Sequence, residues 1–496
     1  MTALKIYYTS DIHGYIFPVD YASGQKKTTG LLACAAGFKK DGNTLVIDGG
    51  DTIQGSPFTL YSHRQKTGPH PIAQALNKSA YDYVTLGNHD FNYGEKHLKK
   101  YLEDLDAQCL CANVSGNLPL FAYTVHTLEN GLRVGLVGAV TDWVNVWEKP
   151  GHIQDLSISE PFEAVKNALE SLNGQADVTV CIYHGGFEND IQTGQELSAT
   201  TENIGYKIAS QLDFDLLLTA HQHMPVEGAV INGTYIVQPP HNATQYLEIL
   251  WDGTSFSSTF RSPTGDYDLK GMETAAGLEK ETQKWLDEPV GFFEEALEPG
   301  EKAVMALNGT PLADFFNQVQ LDVSGADISV TSLGNQVKGF RQAVTVRDVV
   351  STYIYPNTLV VLQITGAGLK AVLEQAATYL DLENGIPQVS KRFLQPKVEH
   401  YNYDFFANVE YTADLKKPAL QRVSDIFVKG KPVADTDTFT ICMNNYRKTG
   451  AGGYDTYTDA PVIREIQSEM SELIIAYLEK NPTVSVERFP APHFIY

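Results

Sequence analysis

The first half of the chain alternates short apolar runs with segments in which apolar residues recur every three or four positions. The short runs are about six residues long and rich in β-branched and aromatic side chains, as is typical of buried strands. They are KIYYTS, NTLVIDGG, DYVTLG, RVGLVGAV, DVTVCIY and DLLLTA. The segments with helical spacing are HPIAQALNKS, EKHLKKYLEDL and PFEAVKNALESL. This alternation predicts an α/β domain whose sheets are covered by helices.

The pattern changes between residues 262 and 300. That segment contains the polar turn SPTGDYD, the charged helical stretch GLEKETQKWLDE and the Pro/Gly break EPGEKA. After it the chain is again mixed α and β. We therefore predict two domains, residues 1–298 and 299–496, joined by a helical linker near residues 299–320.

Composition and charge exclude several classes of protein. The chain has 496 residues, 43% of them hydrophobic and 20% charged, which suits a folded protein with more than one core. Its formal net charge of −23 argues against a surface that binds nucleic-acid polymers. The chain lacks the run of about 18 apolar residues that a membrane span requires. A small anionic substrate is not excluded, but it would need local positive charge from metal ions or arginines.

The cysteines and the amino terminus bear on the compartment. The cysteines are Cys34, Cys109, Cys111, Cys181 and Cys442. Such a sparse, odd-numbered set does not form a disulfide framework and favours a reducing environment. The first residues, MTALKIYYTSDIHG, run directly into a strand without the regions of a secretory signal. We expect a cytoplasmic protein, and the alternative is export with the signal removed.

Polar residues follow five of the predicted strands. In chain order they are Asp11-Ile12-His13, Asp51, Asn88-His89-Asp90, His184 and His221-Gln222-His223. Ligands of α/β sheets bind at the carboxyl ends of strands, so we expect these residues to share one edge. Any one of them is ordinary, and the stretch VTLGNHDFNYG by itself could be a turn. Five together are hard to explain as turns.

This combination of carboxylate, amide and imidazole groups suits two divalent metal ions of intermediate hardness. The lack of thiolates in the set favours Mn²⁺, Zn²⁺, Fe or Co²⁺ over a cysteine-bound structural zinc. Asp51 has two carboxylate oxygens and is the natural bridging ligand. Two metals about 3.5–4 Å apart suit in-line displacement at phosphorus.

The order of these motifs resembles that of the calcineurin-like metallophosphoesterase superfamily, and nearly the whole chain resembles its two-domain 5′-nucleotidase family. The resemblance implies a fold of class α/β plus α+β. The N-terminal domain would be a four-layer α/β/β/α sandwich of two mixed sheets, and the C-terminal domain a mixed α/β substrate-binding domain. It also implies the metal ligands, with Asp51 shared: Asp11, His13, Asp51 and His223 for one ion, and Asp51, Asn88, His184 and His221 for the other. His89 would stabilise or protonate the departing oxygen.

Asn92 departs from the pattern of many 5′-nucleotidases, which have an aspartate three residues after the catalytic histidine. An amide cannot raise the pKa of His89 as a carboxylate would. The asparagine form is similar to the family's branch of 2′,3′-cyclic-nucleotide 2′-phosphodiesterases that are also 3′-nucleotidases. We therefore expect 2′,3′-cyclic nucleotides and 3′-nucleotides as substrates, with Asn92 part of the substrate site.

Two aromatic motifs in the second half are HYNYDFF, residues 400–406, and ICMNNYRKTGAGGYDTY, residues 441–457. Two exposed rings can sandwich a planar base, although in a chain with 26 tyrosines a pair can equally be structural. Both motifs resemble those of the cyclic-nucleotide branch. This implies that Tyr401 and Tyr446 hold the base, with Tyr403 as the substitute for Tyr401. In SVTSLGNQVKGFR, Arg341 stands where the 5′-nucleotidases have a phosphate-binding arginine, but Ser332 replaces their asparagine.

Other functions remain open at this stage. The nearest alternatives are a 5′-nucleotidase and a phosphatase of a non-nucleotide ester, and a third is a non-catalytic nucleotide-binding protein. For each, the expected partner is a small nucleotide or ester. We expect no nucleic-acid polymer, no membrane and no obligate protein partner.

Overall fold

The computed structural model describes residues 3–65, 68–197, 200–264, 267–355, 357–395 and 398–496. The chain divides into two compact units, Met1–Trp285 and Leu286–Tyr496. This division falls earlier than the predicted boundary at residue 298. The reason is the strand Pro289–Phe293, which pairs with Ala343–Thr345 and with Thr483–Val484 and so belongs to the second unit.

The first unit contains two large mixed sheets. The seven-stranded sheet has the spatial order Phe256–Arg261, Tyr246–Trp251, Leu4–Thr9, Thr44–Asp48, Tyr83–Val84, Gln108–Leu110 and Leu120–Phe121. The six-stranded sheet has the order Val226–Ile231, Thr234–Gln238, Leu216–Thr219, Val178–His184, Arg133–Val140 and Tyr123–Thr127. Two short pairs accompany them: Val114–Ser115 with Ser157–Ile158, and Val19–Asp20 with Gln25–Lys26. All six predicted strands are present.

The two sheets pack face to face, and the period-2 pattern of their strands explains how. Along Leu4–Thr9, alternate residues such as Ile6 and Tyr8 enter a buried cluster with Val180 and Ile182 of the other sheet. The residues between them point to the opposite face, where Tyr7 stacks on Phe38. Because side chains alternate along a strand, a strand that is apolar throughout must be covered on both faces.

Helices cover the outer faces and complete the predicted four-layer arrangement. They are Leu31–Ala35, Pro57–Gln65, Pro71–Lys78, Glu95–Glu103, Val144–Trp147, Pro161–Ser171, Gly205–Gln211 and Glu273–Leu286, with short 3₁₀ turns at Asn88–Phe91 and Pro150–His152. The helix Pro161–Ser171 shows the principle. Its apolar stripe, Phe162 and Val165, packs in one cluster with Val137 and Cys181 of the six-stranded sheet.

The second unit is a mixed α/β domain. Its five-stranded sheet has the order Asp404–Ala407, Ile328–Ser332, Thr438–Asn444, Leu359–Thr365 and Val462–Ile466. Smaller sheets comprise Lys431–Pro432, Val423–Val428, Val409–Asp414 and His493–Ile495; Ala343–Thr345, Pro289–Phe293 and Thr483–Val484; and Leu380–Glu383 with Ile386–Val389. The helices are Lys302–Asn308, Pro311–Ser324, Val346–Thr352, Gly366–Ala377, Asn445–Lys448 and Met470–Lys480, with 3₁₀ turns at Lys391–Phe393, His400–Asn402 and Asp455–Tyr457.

The predicted linker near residues 299–320 is part of this second unit. Ala303 and Ala306 of the helix Lys302–Asn308 lie in the unit's main hydrophobic cluster, together with Ile328 and Leu362 of the five-stranded sheet. A segment buried in a core cannot act as a free linker. Among the described residues, no helix is long and apolar enough to cross a membrane.

Candidate dimetal active site

The carboxyl ends of the parallel strands bring the predicted ligands together. In the seven-stranded sheet, Leu4–Thr9, Thr44–Asp48 and Tyr83–Val84 run parallel and lead to Asp11, Asp51 and Asn88. In the six-stranded sheet, Val178–His184 and Leu216–Thr219 also run parallel, and they lead to His184 and His221. The two sets meet because the sheets face each other.

One group of possible metal ligands consists of Asp11, His13 and His223, whose donor atoms all lie within 4.8 Å of one another. The Nε2 atoms of His13 and His223 are 3.1 Å apart. The Nε2 atom of His223 is 3.4 Å from Oδ1 of Asp11. His223 comes from the six-stranded sheet and the other two residues from the seven-stranded sheet, so this group forms only when both sheets are in place.

The second group consists of Asp51, His184 and His221, which satisfy the same distance limit of 4.8 Å. Nε2 of His184 lies 3.2 Å from Oδ2 of Asp51 and 3.2 Å from Oδ1 of Asn88. Asn88 is therefore beside this group, as predicted, and its amide oxygen faces it. The other oxygen of Asp51 accepts a hydrogen bond from the backbone N–H of His89 at 2.7 Å.

The donor set fits two divalent cations. Ligand atoms held about 2.0–2.2 Å from one metal in tetrahedral or octahedral geometry are separated by about 3.0–3.5 Å. The His13–His223, Asp11–His223, Asp51–His184 and Asn88–His184 separations fall in this range. Imidazole, carboxylate and amide donors without thiolate suit Zn²⁺, Mn²⁺, Fe or Co²⁺. Two groups of Asp and His residues can thus each hold a metal ion.

Hydrogen bonds behind the ligands fix which ring nitrogen faces each group. Nδ1 of His13 lies 3.1 Å from the carbonyl oxygen of Gln54, and Nδ1 of His184 lies 2.7 Å from that of Gly49. A carbonyl can only accept, so each Nδ1 carries a proton and Nε2 is the nitrogen that faces the group. This is the usual arrangement behind metal-binding histidines.

The electrostatics of the two groups are those of tightly packed, opposite charges. Burial favours neutral acids, but the neighbouring His184 and His89 hold the pKa of Asp51 well below its usual range. His223 does the same for the pKa of Asp11. Burial lowers the pKa of His13 to about 3, so this imidazole is neutral and able to coordinate.

The ligands are held in backbone conformations that are rare for their residue types. Five of the seven predicted ligands have positive φ: Asp11 (51°), His13 (50°), Asp51 (54°), His221 (71°) and His223 (55°). Each such residue costs about 1–3 kcal/mol and persists only where the surroundings fix it. Backbone bonds do so here, such as that from the N–H of His13 to the carbonyl of Asp51 at 2.8 Å. Nothing in the sequence indicates this strain. Positive φ is expected at glycine, and these positions hold aspartate and histidine.

Asp90 has a role that the sequence analysis did not assign. Its buried carboxylate accepts four backbone hydrogen bonds, which come from the N–H groups of Asp51, Thr52, Ile53 and Gly87 at 3.1, 2.8, 3.0 and 2.8 Å. It thereby joins the loop that carries Asp51 to the loop that carries Asn88. The two backbones approach so closely that a Cβ on Gly87 would lie 2.2 Å from the nitrogen of Asp51.

His89 and Asn92 complete this face of the site. The ring of His89 lies 5.2 Å from that of His13, centroid to centroid, and meets it edge-on. Burial lowers the pKa of His89, and the nearby Asp51 and Asn92 oppose that effect. Nδ1 of His89 is 2.8 Å from Oδ1 of Asn92, so Asn92 contacts the imidazole. The stretch that reads Asn-His-Asp thus supplies a candidate ligand, a candidate proton donor and a loop clamp in turn.

Two further aromatic side chains border the site. His241 stacks on His223 at 4.5 Å with an interplanar angle of 16°, and Trp147 stacks on His221 at 5.4 Å with an angle of 27°. Such stacking limits the rotation of the two ligand rings. The sequence analysis assigned neither His241 nor Trp147 to the site.

In the second unit, the tyrosines predicted to hold the base are close together. The ring centroids of Tyr401 and Tyr446 are 6.4 Å apart, but the rings meet at 68°. A base between parallel rings needs a gap of about 7–8 Å, two contacts of about 3.5–4 Å each. One ring must therefore turn before a base can enter. Tyr403 cannot replace Tyr401, because it is buried, stacks on Tyr379 and donates its hydroxyl to the carbonyl of Ala306.

Arg447, which follows Tyr446, organises this region. Its guanidinium is 1–2% exposed and donates to the carboxylate of Asp404 at 2.8 and 3.0 Å and to the carbonyl of Tyr401 at 2.9 Å. It thus ties the two tyrosine motifs to each other. Arg341, in contrast, is 78% exposed and forms an ion pair with Asp348 at 3.3 Å. The structure places Arg341 at the surface, beside the cap of the helix Val346–Thr352.

Comparison with known proteins agrees with this arrangement. Residues 4–225 match the family model "Calcineurin-like phosphoesterase", and residues 289–459 match "5'-nucleotidase, C-terminal domain". A crystal structure of a Staphylococcus aureus protein assigned by name to the 5′-nucleotidases is 34% identical, with a TM-score of 0.73 and 99% of each chain covered.

Two curated relatives carry more specific names. A 2′,3′-cyclic-nucleotide 2′-phosphodiesterase/3′-nucleotidase from Yersinia enterocolitica is 25% identical over 97% of this chain and 86% of its own length. A trifunctional nucleotide phosphoesterase from Bacillus subtilis is 24% identical over 97% of this chain. The chain spans only 38% of the length of the latter protein.

Facing mixed sheets that carry Asp, Asn and His groups at one carboxyl edge define a metallophosphoesterase hydrolase. The chain belongs to the 5′-nucleotidase family of calcineurin-like phosphoesterases. The resemblance inferred from the strand-end motifs is thereby confirmed, and so is the predicted two-domain fold.

Proposed function

We propose that the protein hydrolyses phosphoester bonds of nucleotides, and that its substrates are 2′,3′-cyclic nucleotides and 3′-nucleotides. One observation carries the proposal: two groups of metal-ligating residues lie side by side with His89 at their edge. A structural metal site needs a single closed shell of ligands. Two adjacent sites with a potential proton donor suit catalysis at phosphorus.

The proposed chemistry follows from what each group can do. Bound cations would offset the charge of the phosphate and lower the pKa of the attacking water. Asp51 keeps the two sites adjacent, and Asn88 contributes a neutral oxygen to the second. In its protonated form, His89 gives the proton on Nε2 to the departing ribose oxygen and becomes neutral, while its Nδ1–H remains bonded to Asn92.

The choice of nucleotide rests on Asn92 and on the relatives. An amide beside His89 is the form similar to the cyclic-nucleotide branch, and a relative that covers nearly the whole chain carries that name. The S. aureus structure, whose name points to 5′-nucleotides, supports the main alternative. We assign the nucleobase to Tyr401 and Tyr446, whose rings would sandwich it.

The test is a comparison of substrates. Metal-stripped protein refilled with Mn²⁺ is given 2′,3′-cyclic AMP, 3′-AMP and 5′-AMP, with His89→Ala measured alongside. Fast turnover of the first two, and a loss of about 10²–10⁴-fold in the variant, is the expected result. A preference for 5′-AMP would replace the cyclic-nucleotide assignment with 5′-nucleotidase activity. If metal-loaded protein turns over none of the three, the nucleotide proposal is wrong.

A further inference from the structure

The amide of Asn92 has a second partner besides His89. Its Nδ2 donates to Oε2 of Glu148 at 2.7 Å, while its Oδ1 lies 2.8 Å from Nδ1 of His89. Glu148 is far from this motif in the sequence and follows the short helix Val144–Trp147. We propose that Glu148 is a positioning residue for His89 and acts through Asn92; this inference rests on the proposed function of His89 as proton donor.

The argument begins with the orientation of the amide. An asparagine side chain can present either its oxygen or its NH₂ group in a given direction. The carboxylate of Glu148 can only accept, so the NH₂ group of Asn92 must face it and the oxygen must face His89. That oxygen in turn requires the proton on Nδ1 of His89. Nε2 is then the nitrogen that exchanges a proton with substrate, as in any triad whose third member sets the tautomer of a histidine.

Glu148 is itself held firmly. Its side chain is 5% exposed, and its second oxygen lies 2.8 Å from Nδ1 of His152 and accepts from the backbone N–H of Lys149 at 2.7 Å. Every neighbour is therefore a donor, as a charged carboxylate requires. The hydrogen-bonded chain His89–Asn92–Glu148 ends in a carboxylate. This carboxylate is one residue further from the imidazole than in a direct His–Asp pair.

This arrangement predicts the effect of exchanging the amide at position 92 and the carboxylate at position 148. Asn92→Asp would place two carboxylates about 2.7 Å apart in a buried site, where like charges repel strongly. Glu148→Gln keeps the shape of the side chain but loses the charge that orients the amide. In the double variant, the carboxylate introduced at position 92 would accept from His89 and from the NH₂ group of the amide introduced at position 148. Every hydrogen bond between His89 and the side chains at positions 92 and 148 would then be formed again, with the carboxylate and the amide exchanged.

Two substrates with different leaving groups distinguish a role of Glu148 in positioning His89 from a role in stabilising the fold. The departing ribose oxygen of 2′,3′-cyclic AMP needs a proton, whereas the nitrophenolate of bis(4-nitrophenyl) phosphate leaves without one. For Glu148→Gln with Mn²⁺ bound, kcat for 2′,3′-cyclic AMP should fall about 10- to 100-fold with KM nearly unchanged. For the nitrophenyl ester kcat should change less than about 3-fold, which also shows that the variant folds. Glu163→Gln, on an exposed helix face, is the matched control and should change neither.

The double variant and a spectroscopic readout make the test independent of substrate. The double variant Glu148→Gln/Asn92→Asp should turn over 2′,3′-cyclic AMP faster than Asn92→Asp alone. In Zn²⁺-loaded protein with ¹⁵N-labelled histidine, Glu148→Gln should abolish the single Nδ1–H form of His89. Equal losses on both substrates, or no rescue together with an unchanged His89 spectrum, would overturn the inference. If wild-type protein hydrolyses only the nitrophenyl ester, the proposed substrate is wrong, and the spectrum of His89 still decides the role of Glu148.

Discussion

Replacing Asp90 by asparagine should loosen the site although Asp90 is not a predicted metal ligand. Each carboxylate oxygen of Asp90 accepts two backbone N–H groups: Oδ1 those of Thr52 and Ile53, Oδ2 those of Asp51 and Gly87. An amide keeps one oxygen and turns the other into a donor that faces two donors. Two charge-assisted bonds are lost, each worth about 1.5–3 kcal/mol. The lower cost of burying a neutral group offsets part of this, which leaves a loss of about 2–4 kcal/mol.

The measurement is made at about pH 8, because burial raises the pKa of Asp90 to about 6 and the carboxylate must be charged. Amide hydrogen exchange of Asp51, Thr52, Ile53 and Gly87 reports which pair of bonds is broken, and the urea midpoint of the metal-free protein reports the stability. Asp177→Asn, at a surface pair with Arg133, is the control and should leave both nearly unchanged. If all four backbone amides are as well protected in Asp90→Asn as in the wild type, Asp90 is not a clamp and the reasoning fails.

Three other predictions test the metal groups, the backbone strain and the tyrosine pair. Asp51→Ala should reduce bound metal, measured by elemental analysis after Mn²⁺ loading, more than His223→Ala does, because the family resemblance implies that both metal sites share Asp51; equal stoichiometries would contradict a shared ligand. His221→Gly should be more stable to urea than His221→Ala by about 1 kcal/mol, since φ is 71° there, and an equal midpoint would show that no strain is stored. Tyr446→Ala should raise KM for 2′,3′-cyclic AMP but not for bis(4-nitrophenyl) phosphate, with Tyr446→Phe close to wild type; an equal rise for both esters would remove the base from this ring.

The positions of the metal-ligating residues could be predicted because they depend on local pattern and simple topology. Apolar runs of strand length showed where Leu4–Thr9 and Val178–His184 end, and parallel strands in facing sheets bring such ends to one edge. The structure divides the chain somewhat before the predicted boundary near residue 298, and the segment predicted as a linker lies within the second unit. The Pro/Gly break there marks a loop, whereas unit membership depends on the pairing of Pro289–Phe293 with strands far along the chain.

Residue type and spacing, which act over a few positions, were enough to predict the alternating strands and helices and the polar residues at the strand ends. The assignment of seven of these residues as ligands, with His89 beside them, came from the family resemblance. Long-range packing was needed for the rest: that Asp90 joins two loops, that ligands have positive φ, that Tyr401 and Tyr446 meet edge-on and that Glu148 stands behind Asn92. Asp90 bonds to residues 37–39 positions away and Asn92 to a residue 56 positions away. Such contacts depend on how distant segments pack, and no local pattern in one sequence encodes them.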